Sequence, residues 1–139
     1  MASNNRNQDL EILQPAGWPR PKGYANGIAV TGRQVFVGGM IGWNAKEEFT
    51  SDDFIAQSEQ ALRNIVAVLA EANAKPEHIV RMTWYVTDKQ DYMSRLPEVG
   101  GIYRDVMGRH YPPMTLVQVV ALVEDRAKVE IEVTAVIPE

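Results

Sequence analysis

Two glutamates near the carboxyl end, Glu130 and Glu132, stand two positions apart in a run otherwise made for burial, Val129 to Ile137. In an extended strand residues i and i+2 project from one face. The carboxylates and Thr134 therefore share one side, and Val129, Ile131, Val133, Ala135 and Ile137 the other. Two readings of the acidic face are open. The simpler is solvent, the expectation for Glu132, because glutamate is seldom fully buried. The chemical one is that association of copies covers the face. A partly desolvated carboxyl has its pKa raised and can serve as an acid or a base.

Other chemistries are excluded or weak. The chain has no cysteine, which removes disulfides, thiolate zinc sites and a cysteine nucleophile. No Gly-Lys-Ser/Thr loop and no Gly-x-Ser-x-Gly elbow occurs. Gly38-Gly39-Met40-Ile41-Gly42 is glycine-rich but lacks the dinucleotide fingerprint, so no cofactor is expected. His78 and His110 have no partner at helical spacing, so no metal is expected, and His78 reads as a solvated loop residue. Fourteen Lys and Arg against 18 Asp and Glu leave a net charge of -4 with no basic run. Such a surface repels a phosphate backbone, and nucleic acid is not an expected partner.

The elements that must position these residues follow from periodicity. Leu10 to Leu13 reads as a short edge strand halted by Pro15, and residues 16–24 as a loop punctuated by Pro and Gly. Ile28–Val30 and Gln34–Gly39 read as strands joined by a hairpin-type turn at 31–33, with a polar loop from Gly42 to Phe49. A helix starts near Ser51, the expected cap, with Asp52 and Asp53 on the positive end of its dipole. Phe54, Ala61, Leu62, Ile65, Leu69 and Ala72 form its apolar stripe, and Asn73 and Pro76 end it. From Val80 to Thr87 the pattern alternates, with Val80, Met82, Trp84 and Val86 inward. A second helix is expected over 91–107, weakened by Pro97 and Gly100-Gly101. Met114–Val123 and Val129–Ile137 close the chain as strands around a charged turn at 124–126.

The 139 residues, 45% hydrophobic and 23% charged, suit one globular domain, taken as residues 10–139 after a frayed segment over 1–9. The order ββ-α-β-α-ββ predicts an α+β fold, a mixed sheet with both helices on one face. The bare face, part apolar, invites self-association in a closed ring. No signal-peptide core or membrane-spanning run is visible, so a cytoplasmic protein without a membrane partner is expected.

Six segments, in order and spacing, resemble the RidA/YjgF family: Lys22–Gly27, Val37–Gly42, Gln57–Asn64, Tyr85–Asp88, Tyr111–Thr115 and Val129–Val133. The likeness covers nearly the whole chain from about Leu10. It implies a chorismate-mutase-like fold and a homotrimer with a small-molecule ligand in clefts between subunits. It also implies hydrolysis of reactive imines and enamines to ketoacids and ammonia. In that chemistry an arginine holds the substrate carboxylate while a glutamate and backbone groups position water. Tyr24 and Glu130 match the family's cleft tyrosine and glutamate. Met114 stands where the arginine is expected, Met40 replaces a glutamine, and Gly100 falls about where the family has a helix asparagine.

A thioether carries no charge and donates no hydrogen bond, so a small 2-imino acid is expected to bind poorly. Met40, Trp43, Met114 and Trp18 would make the cleft apolar, with plain core or surface packing the bland alternative for each; Trp84 reads as core. Arg109 and His110 could return positive charge from another direction, or be solvated. An enzyme would use Glu130 to activate water, Tyr24 and Thr115 to hold the substrate, and backbone near Gly39 to bind developing charge. Its substrate would be an imine, enamine or related carbonyl compound larger and less acidic than 2-iminopropionate. The alternative is a trimeric module that holds an apolar metabolite or docks on an enzyme without catalysis. A ribonuclease, described for some family members, ranks third on charge.

Overall fold

In the computed structural model, which describes residues 10–139, a four-stranded sheet forms the scaffold. The expected frayed segment, 1–9, lies outside the described residues. The strands are β1 (Leu10–Ile12), β2 (Ile28–Val30), β3 (Gly32–Ile41), β4 (Ile79–Val86), β5 (Met114–Gln118) and β6 (Val129–Pro138). The helices are α1 (Phe54–Glu71), α2 (Lys89–Met93) and α3 (Leu96–Met107). The sheet runs β3-β6-β4-β5, antiparallel except between β4 and β5, while β1 and β2 pair separately. The fold is the expected α+β, with α1 and α3 packed on each other and α1 on β3 and β6.

Alternation decides which face is dry. Met82, Trp84 and Val86 stand opposite Val133, Ile131 and Val129, and all six are buried beneath the helices. Leu62, Ile65 and Leu69 of α1 close the same core with no exposed surface. Three fully buried branched side chains of this kind contribute roughly 1.5–3 kcal/mol each. Met114 and Leu116, paired with Met82 and Trp84, lie on this helix side.

Local chemistry shifts several boundaries. Asp53, not Ser51, caps α1, its carboxylate accepting from Ala56 N–H at 3.1 Å, and Ser51 Oγ accepts from Asp53 N–H one step earlier. The second expected helix breaks at 94–95 into α2 and α3, because Pro97 has no N–H to donate. Val80 sits in a bulge between Ile79 and Arg81, so Ile79 takes the buried place assigned to Val80. No hairpin joins β2 to β3, since β2 pairs with β1 instead.

The closing strands also differ. They are not neighbours, because β6 inserts between β3 and β4, while β5 crosses over through α2 and α3 to run parallel to β4. Residues 119–123 are not strand. Val86 is the last β4 residue to pair, with Gln118, and the backbone beyond has no further β4 partner apart from Val119 N–H to the Val86 carbonyl. Val120 and Val123 are fully exposed there. Among the described residues no helix is long and apolar enough to cross a membrane.

Candidate functional site

The helix-free face of the sheet carries the acidic residues, as the alternation requires. Thr83 faces Glu132 and Thr115, and Tyr85 faces Glu130 and Val117. Tyr85 Oη donates to Glu132 Oε1 at 2.6 Å, and that bond pushes the Tyr85 phenol above its usual range. Phe36, 71% exposed, and Arg81 border a hollow of about 340 Å3 on this face.

At one edge β3 breaks register. Val37 pairs with Val133 and Met40 with Ile131, leaving Gly38 and Gly39 in a bulge without partners on β6. The carboxylate of half-buried Glu130 lies directly against Gly39, where any Cβ would collide with it. Only glycine allows this approach, and it places a carboxylate beside irregular backbone.

The helix side holds two adjoining cavities. One, about 410 Å3, lies between α3 and the start of β5, walled by Trp84, Tyr92, Tyr103, Tyr111 and Met114, with Lys22 and Arg104 at its border. Trp84 and Tyr92 meet edge to face at 6.1 Å, and Tyr103 stacks on Tyr111 at 5.6 Å. Burial raises the Tyr92 and Tyr103 phenols, keeping both protonated at neutral pH. The second cavity, about 500 Å3, contains Trp18, Tyr24, Arg109 and His110 and shares Gly23 and Tyr111 with the first. His110 is held by its ring: Nε2–H donates to the Ile79 carbonyl at 2.6 Å, while its own carbonyl accepts from Tyr103 Oη.

The expected site residues thus fall into groups. Tyr24, Trp18 and His110 share one cavity, Met114 lines the next, and Gly39 and Glu130 meet at the bulge. Thr115 is exposed on the acidic face, opposite in direction to Met114. Met40 packs against the core, and Trp43 packs on Phe49 with ring centroids 5.8 Å apart. Glu130 lines neither helix-side cavity, so within one chain it and Met114 lie on opposite faces.

Arg104, Lys22 and Tyr92 were not among the expected site residues, although Lys22 opens the Lys22–Gly27 segment. The available signal was the spacing from Gly100 to Arg104, one helical turn. No cluster of three or more metal-ligating side chains occurs among the described residues. His78 is no free loop residue either, since its Nδ1 accepts from Lys75 N–H.

A four-stranded mixed sheet with helices on one face and a glycine bulge set against a glutamate make up this α+β domain. The family model described as endoribonuclease L-PSP matches residues 19–137, and the chain belongs to this family, RidA/YjgF. It is 34% identical over 128 residues to a RutC family protein of Aquifex aeolicus, covering 91% of this chain and 98% of that one. It is 31% identical over 116 residues to the 2-iminobutanoate/2-iminopropanoate deaminase of Salmonella typhimurium, covering 81% and 86%. A solved Rid-family structure, YyfB from Yersinia pestis, superposes with a TM-score of 0.82 at 27% identity over 93% of this chain and 99% of that one. Proteins of the RidA family are typically homotrimers.

Proposed function

We propose that this protein is a RidA-type hydrolase that converts an imine or enamine to a carbonyl compound and ammonia, at sites completed between the copies of a homotrimer. The observation that carries the reading is the Glu130 carboxylate set against the Gly39 bulge. A carboxylate there takes a proton from water as the oxygen adds to the C=N carbon. That proton goes to nitrogen to give the carbinolamine; the carboxylate then moves the carbinolamine hydroxyl proton to nitrogen as the C–N bond breaks, so that the C=O bond forms and ammonia leaves. Backbone at the bulge supports developing negative charge, and Tyr24 and Thr115, presented by different faces, hydrogen-bond the substrate from neighbouring copies. The aromatic and thioether walls beside Met114 suit a substrate with a larger apolar body than 2-iminopropanoate. The protein acts in the cytoplasm.

The test is a panel of imines generated in place by amino-acid oxidases. Wild type accelerates ketoacid or ketone release, and Glu130→Gln lowers that rate at least 100-fold with unchanged mass in solution. No acceleration across the panel overturns the reading. A second reading, a trimer that holds or docks without turnover, is favoured by Met114 in place of a charge. A ligand retained in the cleft and recovered unchanged after incubation selects it.

A further inference from the structure

We infer that Arg104 is the anion-gripping residue of the cavity beside Met114, and that this cavity takes a monoanion with an aromatic body. As an assignment of substrate class, this rests on the hydrolase reading; as an assignment of binding, it does not.

The argument begins with Gly100. A Cβ built there would lie 3.2 Å from a terminal guanidinium nitrogen of Arg104, so the Arg104 head folds back one turn over Gly100. Helical side chains lean toward the amino terminus, which brings position i+4 over position i. With no side chain at Gly100 in the way, the guanidinium reaches the border of the cavity that Met114 lines. Arg109 and His110, the residues considered as sources of charge, line the neighbouring cavity instead. The cation absent from the strand is therefore supplied by the helix.

Two further observations narrow the ligand. Among the described residues no carboxylate lies within ion-pair distance of Arg104 or of Lys22, the second cation at this border. Two cations with no counter-ion among the described residues favour an anion, and a guanidinium fits a carboxylate bidentately. Tyr92, Tyr111 and Met114, all partly exposed, line the cavity above the buried Trp84 and Tyr103, and a flat ring packs on such surfaces edge to face or against sulfur. A short aliphatic acid would satisfy the cations and leave the exposed parts of Tyr92, Tyr111 and Met114 in water.

Calorimetric titration of the intact protein with phenylpyruvate, 2-oxobutanoate and the neutral ketone 4-phenylbutan-2-one tests this. Phenylpyruvate is expected to bind at least about tenfold more tightly than 2-oxobutanoate. Arg104→Gln weakens phenylpyruvate by about tenfold or more and leaves the neutral ketone within about twofold. Gly100→Asn, which keeps the arginine but displaces its head, weakens phenylpyruvate in the same direction. Arg63→Gln, which removes a surface arginine paired with Glu59 on α1, leaves all three affinities unchanged. Unchanged phenylpyruvate affinity in Arg104→Gln, or no measurable binding by wild type, overturns the inference. Arginine-dependent binding without imine turnover removes the hydrolase reading and leaves this one standing, and turnover without Arg104 dependence does the reverse.

Discussion

Single side chains here do work that their type alone does not disclose. Asp53 caps α1 through Ala56 N–H and accepts from an Arg95 terminal nitrogen at 2.6 Å. Arg95 also donates twice to Glu98, at 2.9 and 2.7 Å, tying the start of α1 to the break before α3. The Arg95 bond, first, and then the Ala56 N–H bond hold the Asp53 carboxyl below its usual value; Glu98 is lowered by Arg95 in the same way. Lowered folded pKa values mean that their stabilisation is complete above the unfolded values near pH 4 and is lost as pH falls through the folded ones. Asp53→Ala is expected to cost about 1 kcal/mol in urea unfolding at pH 7. Asp53→Asn keeps most of the cap and gives a flatter loss of stability between about pH 5 and pH 3; a slope as steep as wild type contradicts the assignment. The other lesson of this scale is Gly100, whose missing side chain matters through what Arg104 does with the space.

Elements are held in place by a few buried polar groups. Gln57, on α1 and almost fully buried, donates from Nε2 to the Ser51 and Arg126 carbonyls and accepts Lys128 N–H at Oε1. Asn64, two turns on, donates to the Ile41 and Trp43 carbonyls and so fixes the exit of β3 beside the bulge. The Gln57–Asn64 segment, which resembles the family most plainly on α1, therefore acts by tethering loops to a helix. Gln57→Leu should destabilise the protein by about 2–3 kcal/mol, because three backbone groups lose their partners in a dry site. A denaturant midpoint unchanged from wild type would show that water replaces them. Two of its three partners, Arg126 and Lys128, lie about 70 residues along the chain, so no local pattern marks Gln57 as buried; its spacing places it only near the apolar stripe.

The whole molecule leaves one sheet face without helices, and that face mixes Thr83, Tyr85 and Glu132 with exposed Phe36 and Val117. Isolated in water, such a surface would expose apolar area that association removes. If the proposed homotrimer buries Phe36, Phe36→Glu should convert the protein to monomers by light scattering while leaving the helical circular dichroism unchanged. Under the proposed function it should also abolish imine turnover, because Glu130 and Met114 occupy opposite faces of one chain and a site that uses both has to be built from two copies. A Phe36→Glu protein that keeps its mass would place the interface elsewhere.

Period alone determined much of this protein. The 3.6-residue stripe from Phe54 to Leu69 made α1, and two-residue alternation made β4 and β6, because each pattern can bury its apolar side in only one conformation. Gly39 and Glu130 were readable as candidates, but not as neighbours. Their meeting depends on β6 lying beside β3 and on a bulge that slips the register, both of which are set by pairing between residues about 90 positions apart. Strand order, the parallel docking of β5 and the place of Arg104 at the cavity border likewise arise from which surfaces pack, and a linear pattern does not encode packing partners.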